Sequence, residues 1–103
     1  MTLPLQSVEV ELDEVWLDVA ELCRLAGVSE PWLRERLAHG LLVAAARGAH
    51  DEWRFDVAVL RRARRMACLE RDFDAVPELA ALVADLEDEL AALRTRLQRL
   101  GAA

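Results

Sequence analysis

Residues 18–40 read DVAELCRLAGVSEPWLRERLAHG, and this stretch contains the start and stop signals of two short helices. Asp18 is a suitable N-cap, and Glu21 three residues later fits a capping box. Gly27 ends the first helix, because glycine tolerates the left-handed backbone that follows many helices. Ser29 is a suitable N-cap for the second helix. The stretch therefore predicts two helices joined by a tight turn, which is the sequence form of a helix-turn-helix.

The segment that follows predicts a β-hairpin, or wing, and then a third helix. The apolar run 41–45 has the length of a strand, and the polar run 47–52 contains a glycine and indicates a loop. Trp53 and Phe55 share one face of a return strand. Asp56 is a suitable N-cap for the third helix. The buried stripe of that helix is predicted to be Leu60, Ala63, Met66 and Ala67.

The C-terminal segment has the most regular pattern of the chain. Apolar residues recur there at alternating spacings of three and four, which places Val at a and Leu at d of a heptad repeat. The positions are Val76, Leu79, Val83, Leu86, Leu90, Leu93, Leu97 and Leu100. We expect these residues to form the interface of a homodimeric coiled coil, and the alternative is a helix that packs back on its own domain. Charged residues suit a parallel pair through Glu89 and Arg94 or an antiparallel pair, so the orientation stays open.

These patterns predict a mainly α fold: a winged helix-turn-helix domain over residues 1–72 and a dimerisation helix over residues 73–103. Residues 7–12 alternate apolar and acidic side chains and predict a short first strand. The chain of 103 residues suits a small domain with an arm. It has no long uncharged apolar run and no basic, apolar leader, so we expect no membrane span and a cytoplasmic location.

The composition argues against an enzyme and against a metal or cofactor site. The chain has no Lys, which excludes a Walker phosphate loop and a Schiff-base site. Cys23 and Cys68 lie far apart outside any CxxC pair, so we expect free thiols in a reducing compartment. The two histidines, His39 and His50, have no ligand spacing around them. We therefore expect no catalytic, metal-ligating or cofactor-binding residues.

The formal net charge of −6 conceals a basic middle between two acidic ends. Residues 31–65 carry eight Arg against four acidic residues, whereas the flanking segments are acidic. A basic segment in a winged helix-turn-helix suggests contact with DNA phosphates. The alternative is that the arginines of residues 61–65 form a solvated helix face, paired with the acidic N-terminus. Charge alone leaves both interpretations open.

The order of motifs resembles the MerR-type winged-helix domain, whose members bind DNA as dimers held by a C-terminal coiled coil. The motifs are WLD at 16–18, LAGVS at 25–29, HGLL at 39–42 and WRF at 53–55. This resemblance implies a DNA-binding regulator as the alternative function, with Arg34, Arg36 and Arg54 as its phosphate contacts. Glu30 and Glu35 lie on the helix that would enter the DNA groove, where carboxylates weaken binding by like-charge repulsion.

A narrower resemblance, spanning nearly the whole chain, is to the small chaperone modulators of the CbpM family, which have a MerR-like fold without an effector domain. The matching stretches are AELC at 20–23, AGVSE at 26–30, EWRFD at 52–56 and LRTRLQRL at 93–100. The resemblance implies a non-enzymatic protein that binds the J-domain of a DnaJ-like co-chaperone of the CbpA type. Binding would cover the J-domain surface that engages the Hsp70 chaperone, DnaK.

A J-domain presents a basic helix to Hsp70, so a complementary surface on this chain should be acidic. The residues around the first two helices that fit this role are Asp18, Glu21, Glu30, Trp32 and Glu35. Trp32 would be a partly exposed anchor. The alternative is that Trp32 belongs to the core and that the acidic residues are ordinary solvated helix caps.

Overall fold

The structure is a computed structural model that describes residues 16–101. Within this range, four helices and a two-stranded antiparallel sheet follow one another along the chain: α1 (Val19–Ala26), α2 (Glu30–Ala38), β1 (Ala46–Arg47), β2 (Trp53–Arg54), α3 (Val57–Phe73) and α4 (Pro77–Gly101). The strand expected over residues 7–12 lies outside the described residues. The mainly helical fold, with a small hairpin after two short helices and a long C-terminal helix, confirms the predicted fold class.

The caps of the helix-turn-helix form as its sequence predicts. The Asp18 carboxylate accepts the Glu21 backbone N–H at 2.8 Å, and the Glu21 carboxylate accepts the Asp18 N–H at 3.0 Å. Gly27 ends α1 in the left-handed conformation with φ of 72°. The Ser29 hydroxyl accepts the Trp32 N–H at 3.2 Å and begins α2. Local hydrogen bonds therefore set the angle of the turn before any long-range packing is considered.

The expectation of a strand over residues 41–45 is wrong, because β1 contains only Ala46–Arg47. The backbone N–H groups of Leu41 and Leu42 both donate to the Arg36 carbonyl, at 2.9 and 3.3 Å, and so complete the end of α2. Leu42 is fully buried beneath this turn. Backbone groups that satisfy a helix end are not available to a sheet ladder.

The return strand pairs on both of its sides. Ala46 lies opposite Arg54 in the hairpin, and Phe55 forms an antiparallel bridge with Leu17 on the other side. Leu17 and Phe55 exchange two backbone hydrogen bonds, of 2.8 and 2.9 Å. The sequence carries no signal for this bridge, since a single bridging residue has no alternating pattern. It holds the start of α1 against the wing.

The core lies between the helix-turn-helix and α3. Its largest fully buried side chains are Phe55, Leu22, Leu33, Leu42 and Met66. Burial of each of these side chains stabilises the fold by about 2 kcal/mol. The predicted inner stripe of α3 is confirmed at its three buried members, and its first member is half-buried: Ala63, Met66, Ala67 and then Leu60.

The first half of α4 packs against α3 through a face of small residues. Ala80, Ala81 and Ala84 are all buried there. Two ion pairs flank this contact: Arg62 with Asp85, and Arg65 with Glu87. The arginine run of α3 therefore supplies partners for the C-terminal helix, an arrangement that neither sequence interpretation anticipated.

A largely buried ion pair connects α2 to α3. The Arg36 side chain lies inside and contacts the Glu70 carboxylate through both Nε, at 3.3 Å, and Nη2. The Trp32 indole N–H donates to the same carboxylate at 3.0 Å. One carboxylate on α3 thus holds two side chains of α2.

We predict that Glu70→Ala lowers the free energy of unfolding by about 2 kcal/mol, because it removes the buried carboxylate that holds Arg36 and leaves only the exposed Glu35 beside the guanidinium. The control is Gln98→Ala, an exposed position of α4 off the leucine stripe, which should change stability by less than about 0.5 kcal/mol. Urea unfolding followed by circular dichroism measures both. Equal effects at the two positions would contradict the structural role of Glu70.

A second prediction concerns pH. Two hydrogen bonds from Arg65 hold the pKa of Glu87 below its usual value. A carboxyl group with a lowered folded-state pKa stabilises the fold at neutral pH, and this contribution disappears as the pH falls through that pKa. We expect wild type to be more stable than Glu87→Gln at pH 7, with the difference shrinking below about pH 5. Urea titrations at several pH values test this, and a difference that does not depend on pH would refute it.

Candidate interaction surfaces

The acidic residues of α1 are helix caps that remain accessible to solvent. Asp18 is exposed and Glu21 is half-buried. Each carboxylate uses one oxygen in the capping box. Within the described part of the chain, the second oxygen of each makes no hydrogen bond. Both residues therefore act as helix caps and also carry a negative charge that a partner can reach. The two roles expected for them, cap and partner contact, are compatible.

The acidic residues of α2 are exposed and lie next to arginines. Glu30 approaches Arg34 at 3.5 Å, and Glu35 approaches Arg36 at 3.0 Å. Burial, with the nearby Glu30 carboxylate as a second cause, raises the pKa of Cys23 on α1. The solvent-accessible carboxylates of α1 and α2 are the candidate partner contacts, and we call them together the acidic surface: Asp18, Glu21, Glu30 and Glu35.

Trp32 is held in place at the border of this surface. Its ring is half-buried, its N–H is bonded to Glu70, and the Arg36 guanidinium stacks 4.6 Å from the ring centroid. The ring also lines a shallow groove together with Gly27, Val28 and Arg71. Trp32 is thus neither fully buried in the core nor free at the surface. Its side chain packs against the core and bonds to Glu70, and it also lines the groove.

The fold buries one of the three arginines assigned to DNA contact and leaves the other two near the surface. Arg36 is 7% exposed and bonded to Glu70, so its expected role as a phosphate contact is corrected: its side chain points into the protein. Arg34 is exposed but pairs with Glu30, and Arg54 pairs with Glu52 at 2.9 Å. The sequence could not reveal this, because an arginine on a short helix has no local signal for burial.

The predicted heptad positions lie on an exposed face of α4. Val83 is half-buried, and the others are 47–73% exposed: Val76, Leu79, Leu86, Leu90, Leu93, Leu97 and Leu100. At 100° per residue, this leucine stripe lies opposite the alanines that pack on α3. Leu82, which the heptad analysis left out, is also exposed beside the stripe. The helix therefore packs back on its own domain and still presents a long apolar face to solvent.

Neither cysteine takes part in a disulfide. Cys23 and Cys68 are free and half-buried, as expected. Over residues 16–101, no cluster of three or more His, Cys, Asp or Glu side chains has the arrangement of a metal site. In the same range, no helix combines the length and apolar character of a membrane span.

Comparison with known proteins identifies the family that shares this architecture. Residues 17–101 match the MerR HTH family of regulatory proteins. The chaperone modulatory proteins CbpM of Pseudomonas entomophila (strain L48) and Pseudomonas putida (strain W619) are each 33% identical to this chain over 91 residues. Each alignment covers 84% of this chain and 89% of the relative. Both relatives are named as modulators of chaperones rather than as enzymes. On this extent of similarity, the chain belongs to the CbpM family of chaperone modulatory proteins, built on a MerR-like helix-turn-helix fold.

Proposed function

We propose that this protein binds the J-domain of a DnaJ-like co-chaperone of the CbpA type and inhibits its engagement with Hsp70, DnaK. Its membership of the CbpM family is the observation that carries this proposal, because that family is named for modulating chaperones. A protein that inhibits in this way needs no catalytic group, because it acts only by binding its partner. The free thiols Cys23 and Cys68 suit the cytoplasmic location that this function requires.

The acidic surface is the proposed contact with the basic helix of the J-domain. The Glu30 and Glu35 side chains are 55% and 57% exposed, so they reach a partner without unfolding. Asp18 and Glu21 add charge at the start of α1, and Trp32 adds an aromatic edge. Complementary charge speeds association and fixes the register of two proteins more than it raises affinity. The fixed helix caps also make this surface rigid before binding, which reduces the entropy lost on association.

The leucine stripe is the proposed interface of a homodimer. An apolar face of this length is rarely left open to water in a soluble protein, and Val at a with Leu at d favours two-stranded pairing. Glu87 is engaged by Arg65, whereas Glu89 and Arg94 make no ion pair within residues 16–101 and are available to a second copy. We retain residues 1–72 as the winged domain and residues 73–103 as the dimerisation helix.

A dimeric DNA-binding regulator is the second candidate, and the match to MerR-type regulatory proteins favours it. Two of the three expected phosphate contacts, Arg34 and Arg54, stay near the surface, each next to a carboxylate. Arg54→Glu should abolish a salt-sensitive complex with promoter DNA if this function holds. An electrophoretic shift assay at low salt tests it, and no complex under these conditions would eliminate this candidate.

For the first proposal, we predict that the double variant Glu30→Lys and Glu35→Lys weakens J-domain binding by about tenfold or more, because it replaces attraction by repulsion. Isothermal titration with the J-domain of the co-chaperone from the same organism measures the affinity. The control is Glu78→Lys, which changes charge by the same amount per residue at an exposed site on α4. If the double variant binds as tightly as wild type, the assignment of the acidic surface is wrong.

For the dimer, we predict that Leu90→Asp produces a monomer, because it places a carboxylate in the centre of the apolar interface. Ala92→Asp is the matched control, since it adds the same charge at an exposed position off the leucine stripe. Sedimentation equilibrium reports the mass of each. A wild-type monomer, or a Leu90→Asp variant that remains dimeric, would refute the interface.

A further inference from the structure

A groove lies between the end of α2 and the wing, and it borders the acidic surface where Arg34 pairs with Glu30. Its volume is about 410 Å³. Leu37 from α2 and the segment 42–44 form its floor, and Trp53 from β2 forms one wall. Val43 is 69% exposed on this floor, although it is a large apolar side chain. The groove thus offers an apolar seat for one or two side chains.

Two arginines form the rim of the groove. The guanidinium groups of Arg34 and Arg47 stack on the Trp53 ring, at 5.1 and 5.7 Å from its centroid. They come from different elements, α2 and β1, and only the tertiary structure brings them together. No carboxylate lines the groove among the residues that surround it. Each rim arginine pairs with a carboxylate just outside the groove, Glu30 or Asp51, so the groove can attract an anion through unused guanidinium N–H donors rather than through net charge.

Both arginines keep donors that can serve a ligand. Arg34 contacts Glu30 through Nε, and Arg47 contacts Asp51 through Nη1. Over the described residues, neither Nη of Arg34 nor Nη2 of Arg47 donates a hydrogen bond. Stacking on the indole limits the motion of both guanidiniums, which lowers the entropic cost of binding a carboxylate. The two rim arginines therefore hold N–H donors in positions from which they can bind a carboxylate.

We propose that this groove docks a short acidic segment of a partner protein, with an apolar side chain seated on Val43 and carboxylates bonded to Arg34 and Arg47. Arginine forms strong, directional hydrogen bonds with carboxylates. The carboxylates of the segment would use the N–H donors of Arg34 and Arg47 that Glu30 and Asp51 leave free. This site takes an acidic rather than a basic partner, and it does not depend on J-domain binding.

Nucleic acid fits the same groove poorly. Glu30 and Asp51 pair with the rim arginines and Glu52 pairs with Arg54 of the neighbouring strand, and a phosphate backbone that runs past the groove would meet these carboxylates. Like charges at this distance weaken the binding of a polyanion. An apolar floor is also of little use to a phosphate. A peptide with isolated carboxylates between apolar side chains matches both features of the site.

The test uses the full chain and two fluorescein-labelled peptides, the acidic EVELEV and its neutral counterpart QVQLQV, with binding followed by fluorescence anisotropy. We expect EVELEV to bind at least about tenfold more tightly than QVQLQV. Arg47→Gln removes a rim donor, and Val43→Asp places a carboxylate on the floor. Each should weaken EVELEV binding by about fivefold or more. Arg71→Gln, an exposed arginine of α3 outside the groove, is the matched control and should bind as wild type.

Several outcomes would overturn the proposal. One is equal binding of the two peptides, and another is undetectable binding of EVELEV. A third is EVELEV binding that is unchanged in both Arg47→Gln and Val43→Asp. A duplex oligonucleotide that displaces the peptide and loses affinity in the same variants would assign the groove to nucleic acid instead. Self-association that Val43→Asp abolishes would assign it to a second copy. Both substitutions are at exposed positions, and circular dichroism verifies that the variants fold.

Discussion

The carboxylate of Glu70 is the contact on which the arrangement of the winged domain depends. It lies on α3 and receives hydrogen bonds from the Trp32 indole and the Arg36 guanidinium of α2. A guanidinium taken out of water without a carboxylate is strongly destabilising, so α2 cannot leave α3 without exposing this network. The placement of α2 in turn decides where Glu30 and Arg34 lie. The acidic surface and the groove beside the wing thus depend on the same buried contact.

The long C-terminal helix has two faces with different physical roles. The small side chains of Ala80, Ala81 and Ala84 let its backbone approach α3 closely, and the ion pairs of Arg62 and Arg65 join the two helices at the edge of this contact. The leucines would be too bulky for that approach and lie on the other side. A helix so anchored over its first half projects a straight apolar face beyond the domain. This geometry supports self-association without requiring any change in the winged domain.

Carboxylates and arginines alternate along α2, so the two proposed binding sites meet at the ion pair of Glu30 and Arg34. The exposed carboxylates of α1 and α2 suit a basic partner, whereas the arginines stacked on Trp53 suit an acidic one. Burial of Arg36 removes one positive charge from the helix that a DNA-binding protein would place in the groove. Ion pairs at Arg34 and Arg54 neutralise much of the remainder. Most arginines of residues 31–65 are therefore paired with carboxylates of the same chain.

The sequence by itself determined the features that depend on near neighbours. The capping box at Asp18, the left-handed Gly27 and the spacing of the leucine stripe all arise from residues within a few positions, so local patterns predicted them. Only the tertiary structure decided that Arg36 points inward, because its partner is 34 residues away. It also used Leu41 and Leu42 to complete the end of α2, which shortened the expected strand, and it brought two arginines to Trp53. These outcomes rest on contacts between distant segments, which no local pattern records.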